Sequence, residues 1–255
     1  MDDIKLSEVK STMGKKTVNE LDDILKRLEI NNPPKTKEKK IEAIIDMVKD
    51  YNLYKKKKVD RFIKKEQLGN KGRESKTYLV YDKKTKNDYA MKTYRKNKSS
   101  KEIEQEYRFQ QKAAEIGISP NLIDYDTINK TIVMEKMDED LVDVIKKQKG
   151  KMTLKQQKEL MEIFRSLDSV GVFHMDSNPL NFMFKEGKMY VIDYGFSKEI
   201  TDKLKKKYVS ENPNWDYMPI SFIAQIKDYF PEGDFKYIEG KINPEAQKRI
   251  CLKKI

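Results

Sequence analysis

Residues 173–195 read FHMDSNPLNFMFKEGKMYVIDYG and contain the only histidine of the 255-residue chain, His174. The stretch sets Asp176, Asn178, Asn181 and Asp193 among strongly apolar neighbours. Polar groups in such company are costly unless they have a partner or a task. Two short apolar runs, NFMF and MYVI, flank Lys185-Glu186-Gly187-Lys188, a turn containing glycine. That is the pattern of a β-hairpin. Pairing Phe184 with Met189 sets Met183 against Tyr190, Phe182 against Val191 and Asn181 against Ile192, so Asn181 returns beside Asp193. A carboxylate and an amide oxygen brought together in this way, with Asp176 just upstream, make a hard-oxygen site suited to Mg²⁺. A hairpin with an asparagine cap and a turn aspartate would show the same pattern.

The rest of the chain limits what this stretch can serve. Hydrophobic residues make up 37% and charged residues 38% of the sequence, with 14 Tyr and 10 Phe, enough for a packed core and too much for a disordered chain. The net charge of +12 favours polyanionic partners, although a lysine-rich solvated surface accounts for much of it. Cys251 is the single cysteine, which excludes an internal disulfide and points to a reducing compartment. No 18-residue apolar run is present and the acidic start MDDIKLSEVK is not a signal peptide. The expectation is a soluble intracellular protein with no membrane partner.

Residues 18–30 place Val18, Leu21, Leu25 and Leu28 at helical spacing, with Thr17 and Glu20 set as a capping box. NNPPKTKEK interrupts the helix, because proline cannot continue it, and Ile41, Ile44, Ile45 and Val48 resume the spacing. A lysine run, residues 55–58, closes this small helical unit. From residue 61, RFIKKEQLG, KTYLVYDKK and DYAMKTYRK read as strands. KEIEQEYRFQQKAAEIG is a helix ending at Gly117. NLIDYD and KTIVMEKM are again strand-like, and DLVDVIKKQ and TLKQQKELMEIFRSLDSVG are amphipathic helices. Strands first and helices later predict an α+β domain of two lobes: a helical segment 1–58, then 59–255, with lobes of about 59–137 and 138–255.

His174-x-Asp176-x-x-x-x-Asn181 followed by Asp193-Tyr194-Gly195 resembles the catalytic loop and metal-binding triplet of the protein kinases. The resemblance covers roughly residues 61–230 and is nearest to compact atypical kinases, including those of tRNA-modification complexes and large DNA viruses. It implies an ATP- and Mg²⁺-dependent transfer of the γ-phosphoryl group, most readily to Ser or Thr of a protein substrate. Asp176 would be the catalytic base, and Asn181 and Asp193 the metal ligands. The histidine of that loop packs and hydrogen-bonds, so His174 need not be a base. Gly69, Gly72 and Ser75 fall where a glycine-rich loop covers the nucleotide, with Ser75 in place of a glycine. Lys92, beside Ala90 in Tyr89-Ala90-Met91-Lys92, matches the phosphate-contacting lysine. Met134 would line the adenine pocket, with the backbones of Glu135 and Met137 at the adenine edge.

That lysine needs a helical glutamate, and Glu102, Glu104 and Glu106 compete. Glu106 shares a stripe with Ile103, Phe109, Ala113 and Ile116, and a carboxylate on an apolar face demands a cation. Glu106 is therefore the expected partner. Met175 replaces the arginine that usually precedes the catalytic aspartate, which argues against activation by a phosphorylated loop. Asn178 replaces the lysine usual in serine/threonine kinases. No Ala-Pro-Glu element follows Asp193, and Asn214-Trp215-Asp216 is offered as a stand-in for the buried core aspartate. Residues 1–58 resemble the SAP-type helical module, implying contact with DNA, while a protein partner fits equally. The rival classes are a small-molecule kinase of the choline or aminoglycoside type and a non-catalytic scaffold, DNA-tethered or in a virion. A viral source would place the protein in the host cytoplasm or nucleus, or in the virion.

Overall fold

The computed structural model describes residues 4–28, 30, 32–69, 75–127 and 129–252, apart from the side chains of 54–60, 251 and 252. The chain divides into two compact units, residues 1–63 with the 82–86 turn, and residues 64–81 with 87–255.

In the first unit, α1 (Leu6–Gly14), α2 (Val18–Arg27) and α3 (Lys37–Arg61) gather around Leu21, Leu25 and Ile44. The capping box at Thr17 and Glu20 forms in both directions, satisfying N–H groups that the first helical turn leaves without partners. Of the four-residue stripe on α2, Leu21 and Leu25 are fully buried whereas Val18 and Leu28 stay exposed. Periodicity does not reveal α1, whose apolar positions Leu6, Val9 and Met13 span barely two turns. Helix α3 runs unbroken through the lysines at 55–58. At its end Arg61 grips the fully buried Asp82 with two hydrogen bonds of 3.0 and 2.7 Å, and this guanidinium holds the Asp82 carboxyl down at about 2.

The second unit contains most of a five-stranded sheet of order β1-β2-β3-β5-β4: β1 (Phe62–Leu68), β2 (Ser75–Asp82), β3 (Asn87–Tyr94), β4 (Leu122–Asp126) and β5 (Thr131–Glu135). Strand β3 buries alternate residues, Ala90, Lys92 and Tyr94, as a sheet with one covered face requires. Helix α4 (Ser100–Glu115) begins at a capping box of Ser99 and Glu102 and buries Ile103, Glu106, Phe109, Gln110 and Ala113. Gly117, at φ +74°, lies just beyond its end, where a left-handed residue favours glycine.

Beyond β6 (Glu139–Asp140) the unit is largely helical. The elements are α5 (Leu141–Lys147), α6 (Leu154–Ser169), β7 (Val172–Phe173), the hairpin β8 (Phe182–Lys185) and β9 (Lys188–Val191), and β10 (Lys198–Glu199). They are followed by α7 (Asp202–Tyr208), α8 (Pro213–Tyr229), α9 (Lys236–Glu239) and α10 (Pro244–Leu252). Phe182 of the hairpin packs edge-on against Phe164 of α6 and Phe222 of α8, with ring centroids 5.8 and 5.7 Å apart. All three rings are fully buried, so the hairpin is anchored in the core and its ends are fixed. The expectation of strands first and helices later holds. Among the described residues no helix is long and apolar enough to cross a membrane.

Candidate functional site

The hairpin pairs Phe182 with Val191, Met183 with Tyr190 and Phe184 with Met189, the register deduced from the sequence. Beyond the last pair the Ile192 N–H donates to the Asn181 carbonyl at 2.9 Å, which brings Asn181 back beside Asp193. One end of a rigid element thus carries both oxygen donors, and a slip of one residue would have sent their neighbours to the wrong face. Nδ2 of Asn181 is buried with no hydrogen-bond partner. Asp193 takes a left-handed conformation, φ 67°.

The loop before the hairpin is held from several sides. His174 is fully buried, its Nε2 lies 3.1 Å from the Ile192 carbonyl, and its ring meets Tyr194 edge-on at 4.9 Å. Burial lowers its pKa, with Asp176 and Asp193 opposing, so the ring is a neutral packing element. Asp176 accepts the Asn178 N–H at 3.1 Å. Asn178 in turn accepts the Leu180 N–H at 3.0 Å and starts a short 3₁₀ turn, Pro179–Asn181.

Across from the hairpin, Nζ of Lys92 donates to Glu106 Oε1 at 2.5 Å and to Asp193 Oδ1 at 2.8 Å. Burial alone would lower the lysine pKa, but Asp193 and Glu106 outweigh it and hold it above its ordinary value. Conversely, burial would raise Asp193, and Lys92 outweighs that and holds it down. Lys92 and Asp193 therefore favour their charged forms in each other's presence. Glu102 is spent on the helix cap and Glu104 is exposed.

Ala90 lies opposite Met134 in the β3–β5 ladder, and both are buried, as is Met137. The Glu135 carboxylate accepts from Lys185 Nζ at 2.9 Å and from the Asn121 N–H at 3.0 Å. Its own N–H donates to the Asn121 carbonyl at 2.9 Å. Gly69, at φ +62°, and Ser75 border the segment between β1 and β2, and Gly72 lies outside the described residues. Lys92, Glu106 and Asp193 are thus directly bonded, and the hairpin sets Asn181 beside Asp193. The protein kinase domain family matches residues 62–234. The chain belongs to that family.

A curated relative, the KEOPS complex subunit Bud32 of Pyrococcus abyssi (strain GE5 / Orsay), is 30% identical over 187 residues, covering 64% of this chain and 84% of that protein. Within the kinase domain, Asn214 is the residue of Asn214-Trp215-Asp216 that reaches the His174 segment. Its Oδ1 accepts the His174 N–H at 3.0 Å, and its Nδ2 donates to Val172 O at 2.7 Å and to Asp168 Oδ1 at 2.8 Å. Asp216 instead accepts from Ser210 and Asn243.

Asp168 also accepts the Asn214 and Trp215 N–H groups at 2.9 Å each. Burial raises its carboxyl to about 6 despite these bonds. The folded kinase therefore binds a proton there that the unfolded chain, with an ordinary carboxyl of 3.8, has released. Between those two values stability from this group falls as pH rises, the reverse of an ordinary salt-bridged aspartate. Denaturant unfolding at pH 4.5 and 7 is expected to give wild type a more negative stability slope than Asp168→Asn; equal slopes would refute the assignment.

Three contributors escaped sequence reasoning. Asp168 sits on α6, where its capacity to receive α8 is a tertiary fact without a local pattern. Ser197, whose hydroxyl donates to the His174 carbonyl at 3.2 Å, follows the triplet with nothing to mark it. Lys98 is one lysine in a lysine-rich loop, marked only by standing next to the Ser99 cap.

Proposed function

We propose that the chain transfers the γ-phosphoryl group of ATP to a Ser or Thr hydroxyl of a protein substrate. The observation that carries this reading is Lys92, bonded at once to Glu106 and Asp193. Of its three ammonium donors, two hold the wall in place and the third is left for a phosphate oxygen. Phosphoryl transfer is mostly positioning and charge stabilisation, so no activated nucleophile is needed. Asp176 orients the acceptor hydroxyl and takes its proton. Glu135 and Met137 offer backbone groups to the adenine edge, with Ala90 and Met134 against its faces, and Gly69, Gly72 and Ser75 border the phosphates.

Asn181 and Asp193 hold the magnesium ion, which when bound neutralises phosphate charge. Their chemistry suits it: one carboxylate and one amide carbonyl, both hard oxygen donors, meet at the end of the hairpin. Magnesium prefers such sparse protein ligation, completed by phosphates and water.

The division of labour we infer is a helical unit over 1–58, for contact with DNA or a protein, and a kinase domain over 59–255. The separate core of α1–α3 supports it. That the Pyrococcus relative is named as a complex subunit favours a protein partner.

Labelled transfer from Mg·ATP to Ser/Thr peptides, Tyr peptides, whole proteins and aminoglycosides tests the proposal. Wild type is expected to label Ser/Thr acceptors, and Asp176→Asn to lose about 10²-fold or more in rate. Labelling confined to aminoglycosides would make this a small-molecule kinase, and equal rates in the two proteins would remove Asp176 from the chemistry.

A further inference from the structure

Lys98 is buried, its Nζ lies 3.3 Å from Glu106 Oε2, and it belongs to no motif. Lysines almost never bury without a reason, because the ammonium leaves water at a large penalty. Here the backbone is built to put it there. The Lys98 N–H donates to the Arg95 carbonyl at 3.1 Å. Lys130 Nζ donates to the carbonyls of Lys96 and Lys98 at 2.5 and 2.7 Å, and the next residue, Ser99, caps α4.

Glu106 is consequently held by two lysines, one on each oxygen. The ammonium groups of Lys92 and Lys98 lie 5.3 and 5.2 Å from the centroid of the Tyr94 ring. Gly195 closes the group. A Cβ there would lie 3.3 Å from Asp193 Oδ1, 3.5 Å from Glu106 Oε2 and 3.5 Å from Lys98 Nζ. Lys92, Lys98 and Glu106 thus pack together at the 193–195 turn.

We propose that Lys98 is a positioning residue: by holding the second oxygen of Glu106 it fastens α4 to the 193–195 turn, without any phosphorylated side chain. This deepens the kinase reading above and rests on it for its kinetic consequences. Lys92 must serve Glu106, Asp193 and a phosphate with one ammonium. With Lys98 in place Glu106 keeps a cation on its second oxygen while Lys92 turns toward the nucleotide. Without Lys98, two carboxylates draw on one lysine and the phosphate competes with both.

The test uses the full chain and four proteins: wild type, Lys98→Met, Lys98→Arg and Lys101→Met, the last altering an exposed lysine in the first turn of α4. In steady-state transfer from Mg·ATP, Lys98→Met is expected to lower kcat by about 10²-fold, as misplacement of a catalytic group does. KM for Mg·ATP should change less than about threefold, because Lys98 touches no phosphate. Lys98→Arg, able to pair with the same carboxylate, should recover kcat to within about fivefold, and Lys101→Met should match wild type. Independently of turnover, amide hydrogen exchange across residues 100–110 should quicken about tenfold in Lys98→Met and stay at the wild-type rate in Lys101→Met.

Unchanged kcat in Lys98→Met overturns the proposal, as does a loss that Lys98→Arg fails to rescue. An inactive wild type would sink the kinase reading alone. Hydrogen exchange would then decide the fastening role, and unaltered protection of α4 would overturn it.

Discussion

Asp193→Ala is expected to lower phosphoryl transfer by about 10³-fold or more, since on the proposed reading it removes one of two protein donors for the cation together with a partner of Lys92. The Asp193 side chain is half-exposed, so its loss leaves no large cavity. Glu106 still compensates Lys92 at 2.5 Å, so the protein should fold and melt within a few degrees of wild type. Nucleotide binding in the absence of divalent cation should change little, while the stimulation of binding by Mg²⁺ should vanish. The measurement is paired: titration of a fluorescent ATP analogue with and without Mg²⁺, then turnover. Normal turnover in Asp193→Ala would sink the metal assignment, and with it the reading of the hairpin as the functional element.

The second large effect falls on stability. Asn214 is fully buried and its amide serves three partners, the His174 N–H, the Val172 carbonyl and the Asp168 carboxylate. Asn214→Leu keeps the bulk and deletes all three bonds, stranding a donor, an acceptor and part of a buried carboxylate. Each stranded group costs about 1–3 kcal/mol, so a loss of about 3–5 kcal/mol is expected in urea unfolding. Activity should fall as well, because the His174 segment carries Asp176. Asn214→Asp should be no rescue. A carboxylate cannot donate to Asp168 2.8 Å away, and two buried carboxylates at that distance repel. A loss below about 1 kcal/mol for Asn214→Leu would show that the network is dispensable.

The three partners of Asn214 require both a donor and an acceptor on one side chain, which suits asparagine and not aspartate. The sequence signalled the right tripeptide and could not pick the residue, because the choice is set by Asp168, 46 positions earlier on another helix. The hairpin register, by contrast, was legible in full: its information lies in alternation and turn length within a dozen residues. Glu106 was legible because burial of a charge on an apolar stripe is a local contradiction that only a cation resolves. Lys98 was not, since an exposed lysine and a buried one look alike in a lysine-rich loop. Helix α1 was missed for want of length, and Val18 and Leu28 stayed exposed because a small unit of three helices has too little interior to cover a whole stripe.

The two halves of the site also differ in how far the chain must travel to make them. Asn181 and Asp193 are joined by a tight hairpin, a structure that closes in microseconds, whereas Lys92 and Asp193 meet across 101 residues. Loop closure over that span carries a much larger entropic penalty, and non-local contacts of this kind slow folding. The pairing of the two oxygen donors thus depends on local chain, and that of the lysine with Asp193 on the docking of a distant sheet. On the proposed reading, a chain whose sheet has come away would keep Asn181 and Asp193 side by side without Lys92, so the site would fall silent before the hairpin itself is lost.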